Sequence, residues 1–328
     1  MDQVPESPDL TVAIVNWNTR ELLSDCLLSL QRTIDLARTQ VIVVDNASSD
    51  GTAEMVRSRF PWVELIASST NLGFAAGNNL AFSATEGRYV LFLNPDTQVN
   101  PGAIEEMTRY LDGRPEVGVV GTTLLNPDGS VQLSCHRFYS FWHTIKHNRL
   151  VDRIAGAREL SSINRGSHPR EVDWMTGACL MVRRSVLTSV GGFDPTFFVY
   201  GEEIDLQYRI KRAGWRVVYV PSSGVVHHGG QSAKQAGIAA SLHDYRGRWI
   251  FLRKHYGPLS AAAYLAKAVV ALAVWTVYWG ARAAIQHRPC ARQQLGSYWR
   301  LLRWHLVERG LPPAPVHIQG LGAKESKP

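Results

Sequence analysis

Four short apolar runs in the first hundred residues each end in a polar turn, and the first three turns open helical stretches. This alternation narrows the fold more than any other feature of the chain. Residues 10–15 (LTVAIV), 41–44 (VIVV), 63–67 (VELIA) and 89–93 (YVLFL) have the length and apolar content of buried strands. After the first, Leu22, Leu23, Cys26, Leu27 and Leu30 share one helical face. Asn18, with Glu21 three residues on, predicts a capping box for that helix. A short helix is predicted through Met55, Val56 and Phe60, and another opens in the segment 71–79 (NLGFAAGNN). Repeated strand–helix units predict an α/β fold with a mostly parallel central sheet and right-handed crossovers. Such sheets bind ligands beyond the carboxyl ends of their strands. Asn16, Asp45 and Asp96 all lie there. A single Asp after a strand is an ordinary helix cap; three polar side chains along one edge predict a cleft.

The 328 residues are 45% hydrophobic and 19% charged, a globular composition that excludes long disorder and a polytopic membrane protein. Cys26, Cys135, Cys179 and Cys290 lack CxxC spacing, so neither a disulfide framework nor a thiolate zinc site is indicated. The first residues (MDQVPESPDL) hold no apolar run, which predicts no secretory signal and a cytoplasmic setting. The formal charge of +7 is unevenly spread. Residues 1–245 carry 22 Lys and Arg against 26 Asp and Glu, whereas residues 246–328 carry 13 against 2. The expected organisation is a catalytic domain over 1–245, a helical basic region over 246–310 and a flexible tail over 311–328. The basic region points to an acidic surface, either anionic lipid or nucleic acid.

The densest acidic segment is GGFDPTFFVYGEEIDL, residues 191–206. From Glu202 onward it reads as a helix, with Leu206 and Ile210 stacked, Asp205 able to pair with Arg209, and Gly214 as its stop. Acids in a first turn favour the helix dipole without any further function. They follow the apolar stretch FFVY, however, and carboxylates set against aromatics lose solvent and become suited to general-base work. Asp96, in NPDT, is either a turn residue or a ligand of an oxygen-bound Mg2+ or Mn2+ on a diphosphate. His227 and His228 are adjacent, so only one of them can serve the same ion.

In this order the segments VAIVNWN, VIVVDNASSDGT, NLGFAAGNN, VLFLNPDT, WMTGACLMVRR, GGFDPTFFVYGEEIDLQYRIKRAGW and VVHHGGQS resemble the inverting family 2 glycosyltransferases. The likeness spans roughly residues 10–235 and is strongest to the branch with rhamnosyl- and galactofuranosyltransferases. It implies a GT-A, Rossmann-like fold and a UDP- or dTDP-sugar donor. It further implies a glycan or lipid-linked acceptor of the cell envelope. On this resemblance Asp45 would bind the pyrimidine base, and Asn16, Asn71 and Asn78 would shape the nucleotide pocket. Asp96 and His227 would hold the metal, His227 standing five residues before Ser232 as in the family. Glu203 would be the catalytic base, and Trp174, Gly177 and Asp194 would line the acceptor side. Two positions depart from the pattern. Asn94 replaces the first carboxylate of a DXD motif, and Glu203 stands where the branch often has Asp, with Asp205 as the other candidate base.

Residues 259–281 form an apolar run of 23 residues with one charge, Lys267. The length would span a bilayer, but an in-span Lys costs roughly 2.5–3.5 kcal/mol. Basic residues also flank the run on both sides, whereas an interfacial helix would keep both flanks on the inner leaflet. Peripheral membrane association, a buried or oligomer-forming helix, and a span are the three readings. Nucleic acid is disfavoured because no binding module accompanies the basic region. A nucleotidyltransferase would need a glycine-rich loop after the first strand, which Asn16-Trp17-Asn18-Thr19-Arg20 lacks. A non-catalytic nucleotide-sugar-binding scaffold would not need the Glu202–Asp205 acids.

Overall fold

The computed structural model describes residues 8–139, 166–229, 238–286 and 289–307. The chain divides into two compact units, 1–232 and 233–328. In the first, β1 (Leu10–Asn16), α1 (Arg20–Thr33), β2 (Thr39–Asn46), α2 (Thr52–Arg59), β3 (Glu64–Ser68), α3 (Phe74–Ser83) and β4 (Tyr89–Leu93) realise the expected alternation. Strands β3, β2, β1 and β4 are neighbours in that order, and all three pairings are parallel. Val12 and Ile14 of β1 join Leu23, Leu27 and Leu30 of α1 in one buried core, which explains the apolar stripe read along that helix.

The capping box at Asn18 does not form. Asn18 takes a left-handed φ of 52°. Its Oδ1 accepts the Ser49 amide at 2.8 Å, and the first helical amide, Arg20 N, donates to Asp50 Oδ2 instead. The β1–α1 turn is therefore stitched to the β2–α2 turn, fixing two strand ends against each other.

The second half of this unit adds β5 (Thr97–Val99), α4 (Ala103–Asp112), β6 (Val117–Leu125), β7 (Cys135–His136), β8 (Arg170–Glu171), β9 (Trp174–Met175), β10 (Cys179–Arg183), α5 (Arg184–Val190), α6 (Glu202–Arg212) and β11 (Arg216–His227). The sheet continues from β4 through β10, β6 and β11 to β5, with β10 and β5 antiparallel to their neighbours. Strand β11 runs well past the apolar residues 217–220. Its register against β6 shifts between Val220 and Val225, and it resumes to pair His227 with Thr97. That resumption carries His227 beside Asp96. Residues 140–165 and the whole tail 311–328 lie outside the described residues.

The second unit contains α7 (Ile238–Gln286) and α8 (Pro289–Val307). Helix α7 is broken at Gly257 (φ 84°, ψ 173°), a conformation glycine adopts without penalty, immediately before Pro258. Leu272 packs with Leu301 and Leu302, and Trp275 stacks on Tyr298 at 5.8 Å, so α8 returns antiparallel along α7. By length and composition, residues 239–285 could cross a membrane; 22% of their most apolar window is buried.

Candidate active site

Asn16 and Asp45, expected on the nucleotide side, stand in register at the ends of β1 and β2. Asn16 Nδ2 donates to Thr52 Oγ1 (3.1 Å) and Ser48 Oγ (3.3 Å), while its Oδ1 accepts from Thr19 Oγ1. Buried Asp45 receives the Ser48 amide at 3.4 Å. The next residue, Asn46, was not singled out from sequence. Its amide donates to Asn71 Oδ1 and to the Gly73 carbonyl and accepts from Leu72 N, so it holds the 71–73 loop at three points. Asn78 is buried inside α3, where its Nδ2 bonds the Phe74 carbonyl one turn back. Asn79 ties that helix to the acidic segment, donating to Phe193 O and accepting from Phe193 N.

Asp96 and His227 come together at the ends of β4 and β11. His227 Nε2 lies 3.4 Å from Asp96 Oδ1 and 3.5 Å from the Asn94 amide. Gln132 fixes the imidazole. Its Nε2 donates to the His227 carbonyl at 2.6 Å, which can only accept, and this orients the amide. Its Oε1 then faces His227 Nδ1 at 3.0 Å, which requires a proton on Nδ1, so that a neutral ring has its lone pair on Nε2. Nearby, Asn94 Oδ1 is buried without a hydrogen-bond partner. Below the site, Cys26 lies 3.8 Å from the Asn94 carbonyl, with its thiol pushed up to about 12 by burial. Cys135 and Cys179 are also buried and free, so thiolate chemistry is not offered there.

The acidic segment delivers its carboxylates through two consecutive left-handed residues, Tyr200 (φ 69°) and Gly201 (φ 98°). Strain of this kind in a non-glycine residue collects at functional sites. Half-buried Glu203 accepts the Gly201 amide at 3.1 Å. Glu202 is 3% exposed, its Oε2 has no hydrogen-bond partner, and burial followed by the neighbouring Glu203 charge holds its carboxyl well above the usual range. Asp205 is fully buried and binds Arg209 Nε at 2.7 Å; that guanidinium also holds the Val190 and Gly192 carbonyls. It organises the loop before the helix.

Among the residues expected to line the acceptor side, Gly177 abuts Glu203, and next to it the Ala178 carbonyl accepts the Asn94 backbone amide at 3.0 Å. One short stretch thus touches both the carboxylate helix and the Asp96 turn. Trp174 stacks on His136 and donates to the Arg137 carbonyl. Asp194 accepts from the Thr196 amide and hydroxyl in a tight turn at the far end of the acidic segment.

The chain matches the family described as glycosyltransferase-like family 2 over residues 8–251. The N-acetylglucosaminyl-diphospho-decaprenol L-rhamnosyltransferase of Mycobacterium tuberculosis is 32% identical over 263 residues, covering 76% of this chain and 85% of its own length. The chain belongs to glycosyltransferase family 2. The rhamnosyltransferase WbbL of Escherichia coli is 29% identical across 48% of this chain and 61% of its own. Among solved structures, a mannosyltransferase of Pyrobaculum calidifontis with GDP-Man and Mn2+ covers 93% of this chain and 88% of its own, at TM-score 0.55 and 17% identity. GalNAc-T7 with UDP, GalNAc and Mn2+ covers 68% of this chain and 44% of its own, at TM-score 0.52 and 14% identity. The last two likenesses show a shared GT-A fold.

The donor set of this glycosyltransferase fits a divalent cation. Among the described residues no cluster of three His, Cys, Asp or Glu occurs. Asp96 Oδ1 and His227 Nε2 nonetheless lie 3.4 Å apart, and Asn94, whose Nδ2 is the atom turned to His227, has a buried Oδ1 without a partner. Mg2+ and Mn2+ characteristically take few protein ligands and complete their shell with phosphate oxygens and water. Sequence reasoning missed Gln132, which lies outside every quoted segment, and passed over Asn46 and Gln207, which lie within VIVVDNASSDGT and GGFDPTFFVYGEEIDLQYRIKRAGW.

Proposed function

We propose that the protein transfers a sugar, rhamnose foremost and galactofuranose next, from a dTDP- or UDP-linked donor to a hydroxyl of a lipid-linked or cell-envelope glycan. Anomeric configuration inverts. The Mycobacterium relative supports the rhamnosyl choice and the lipid-linked acceptor through the words of its name. The single observation that carries the chemistry is the Gly177–Ala178 step, which contacts Glu203 on one side and Asn94 on the other. Acceptor and donor diphosphate would meet across it.

In this reading Glu203 takes the proton from the acceptor hydroxyl as its oxygen attacks the anomeric carbon. Asn16 and Asp45 shape the pocket for the nucleotide base, with the 71–73 loop closed over it by Asn46. Asp96 and His227, with Asn94 beside them, would hold Mg2+ or Mn2+, which when bound offsets charge on the departing diphosphate. Asp205, already committed to Arg209, keeps the helix start in place. Trp174 and Asp194 frame the acceptor side. The enzyme would work at the cytoplasmic face of the membrane, where a lipid-linked acceptor is presented.

Calorimetric titration of dTDP, UDP and GDP, each with and without Mn2+, tests the donor half. Metal-dependent binding of a pyrimidine diphosphate that weakens in Asp96→Asn is the expected result. Glu203→Gln should keep that binding and lose transfer. Failure of folded protein to bind any nucleoside diphosphate would overturn the reading.

A further inference from the structure

Beyond the Gly257 bend, α7 buries its small face. Ala261, Ala268, Leu272 and Ala283 are buried, at helical spacing. Leu259, Val270, Val274, Val277 and Ile285 lie on the other side and are 73%, 64%, 62%, 73% and 78% exposed. At 100° per residue these five fall within an arc of about 80°, which also holds exposed Lys267, a side chain long enough to reach from an apolar surface to water. A helix packed on a water-soluble protein shows the reverse arrangement, and a contiguous exposed apolar stripe marks a surface that meets something apolar.

The charge around the stripe identifies the occupant. Positions 245 to 307 contain no Asp or Glu and ten Lys and Arg. Arg253, Lys254 and Lys267 on α7 and Arg292, Arg300 and Arg303 on α8 are exposed. A second copy of this chain would bring the same cations to the same stripe and be repelled. Nucleic acid would match the cations but not the valines. An anionic bilayer matches both, and exposed Trp275, Tyr278 and Trp299 suit its headgroup level. Because α8 returns along α7, basic residues sit at both ends of the pair, so a spanning arrangement would place one basic end on the far side.

We propose that the exposed stripe of α7 lies flat in the headgroup region of an anionic membrane, with the arginines of α8 and of the bend on lipid phosphates. The proposal rests on the proposed function only for its purpose, presenting the catalytic unit to a lipid-linked acceptor. It is tested without any transfer assay, so the two can fail separately.

Full-length protein is floated with phosphatidylcholine vesicles, with or without phosphatidylglycerol. The wild type should bind the anionic vesicles alone, and an alkaline carbonate wash should release it. Val270→Asp with Val274→Asp should weaken binding at least about tenfold, and Arg300→Gln with Arg303→Gln by about tenfold. Circular dichroism checks helix content, and a Val270→Gln, Val274→Gln variant substitutes if the aspartates unfold the pair. Equal binding to neutral vesicles, or retention through carbonate, would overturn the flat anionic docking. So would a wild type that ignores vesicles while the aspartate variant dissociates a dimer.

Discussion

Gly177 stands so close to Glu203 that a Cβ on the glycine would lie 3.3 Å from the Glu203 Cβ and 3.5 Å from its Cγ. Gly177 is not among the residues with positive φ, so alanine is tolerated by the backbone and the effect of a methyl group is purely steric. Gly177→Ala should push the helix that carries Glu203, the proposed base, by a few tenths of an ångström. Misplacement of a reacting group by 1 Å costs about a hundredfold in rate, so a loss of about tenfold in kcat is expected. Donor binding, measured by calorimetry on the same protein, should not change. An unaltered kcat would separate Gly177 from the base.

Gln207 sets the same distance from behind. It is fully buried, donates to Met175 O (2.7 Å) and Glu203 O (2.9 Å), and accepts from Met175 N (2.8 Å). Its amide thus joins the Trp174–Met175 strand to the turn that carries Glu203. Gln207→Leu leaves both Met175 backbone groups buried and unpaired, a loss of about 2–4 kcal/mol at the usual cost per group. Urea unfolding should show it. In protein that remains folded, KM for the acceptor should rise more than KM for the donor.

Glu202 gives a pH signature. Its folded carboxyl titrates above its ordinary value of 4.5, chiefly through burial and next through Glu203. Below the unfolded value both states hold the proton, and Glu202 does not weaken the fold. As pH rises past 4.5 the unfolded chain releases its proton first, and stability falls until the folded carboxyl also ionises. Glu202→Gln cannot ionise. Its melting temperature relative to wild type should therefore climb between about pH 5 and pH 8. A constant difference across that range would show that Glu202 is charged in the fold.

The sequence made the strands and their polar ends readable because burial on both faces leaves uninterrupted apolar runs. Residues 89–93 became β4 without change, and Asn16, Asp45 and Asp96 do terminate strands or follow them. What escaped was held by single hydrogen bonds that leave no pattern. Asn18 looked like a cap and became a turn residue, because Ser49 offered its side chain a better donor. The full length of strand β11 is not legible because Pro221-Ser222-Ser223-Gly224 breaks its apolar run, although the strand continues past the register shift to His227. Gln132 comes from a stretch without periodicity, and only the fold brings it to His227. The two-faced character of α7 was hidden too. An Ala-rich run states its length and hydrophobicity, but which side faces inward depends on α8.

Gln132 supports the sharpest test of the proposed metal site, because it would act on the ion only through His227. Its amide leaves a neutral imidazole one tautomer, with the proton on Nδ1 and the lone pair on Nε2. Gln132→Leu removes that constraint without removing any ligand. Loss of a residue that orients a metal-bound histidine typically lowers metal affinity about 10- to 100-fold. Mn2+ titration followed by electron paramagnetic resonance, with dTDP present, should show a drop of that size. Gln132→Glu should recover part of it, since a carboxylate still accepts from Nδ1 although it cannot donate to the His227 carbonyl. His227→Ala should lose more than Gln132→Leu. If the two variants bind Mn2+ as well as wild type, His227 is no ligand, and its 3.4 Å approach to Asp96 serves only to hold β11 against the end of β4.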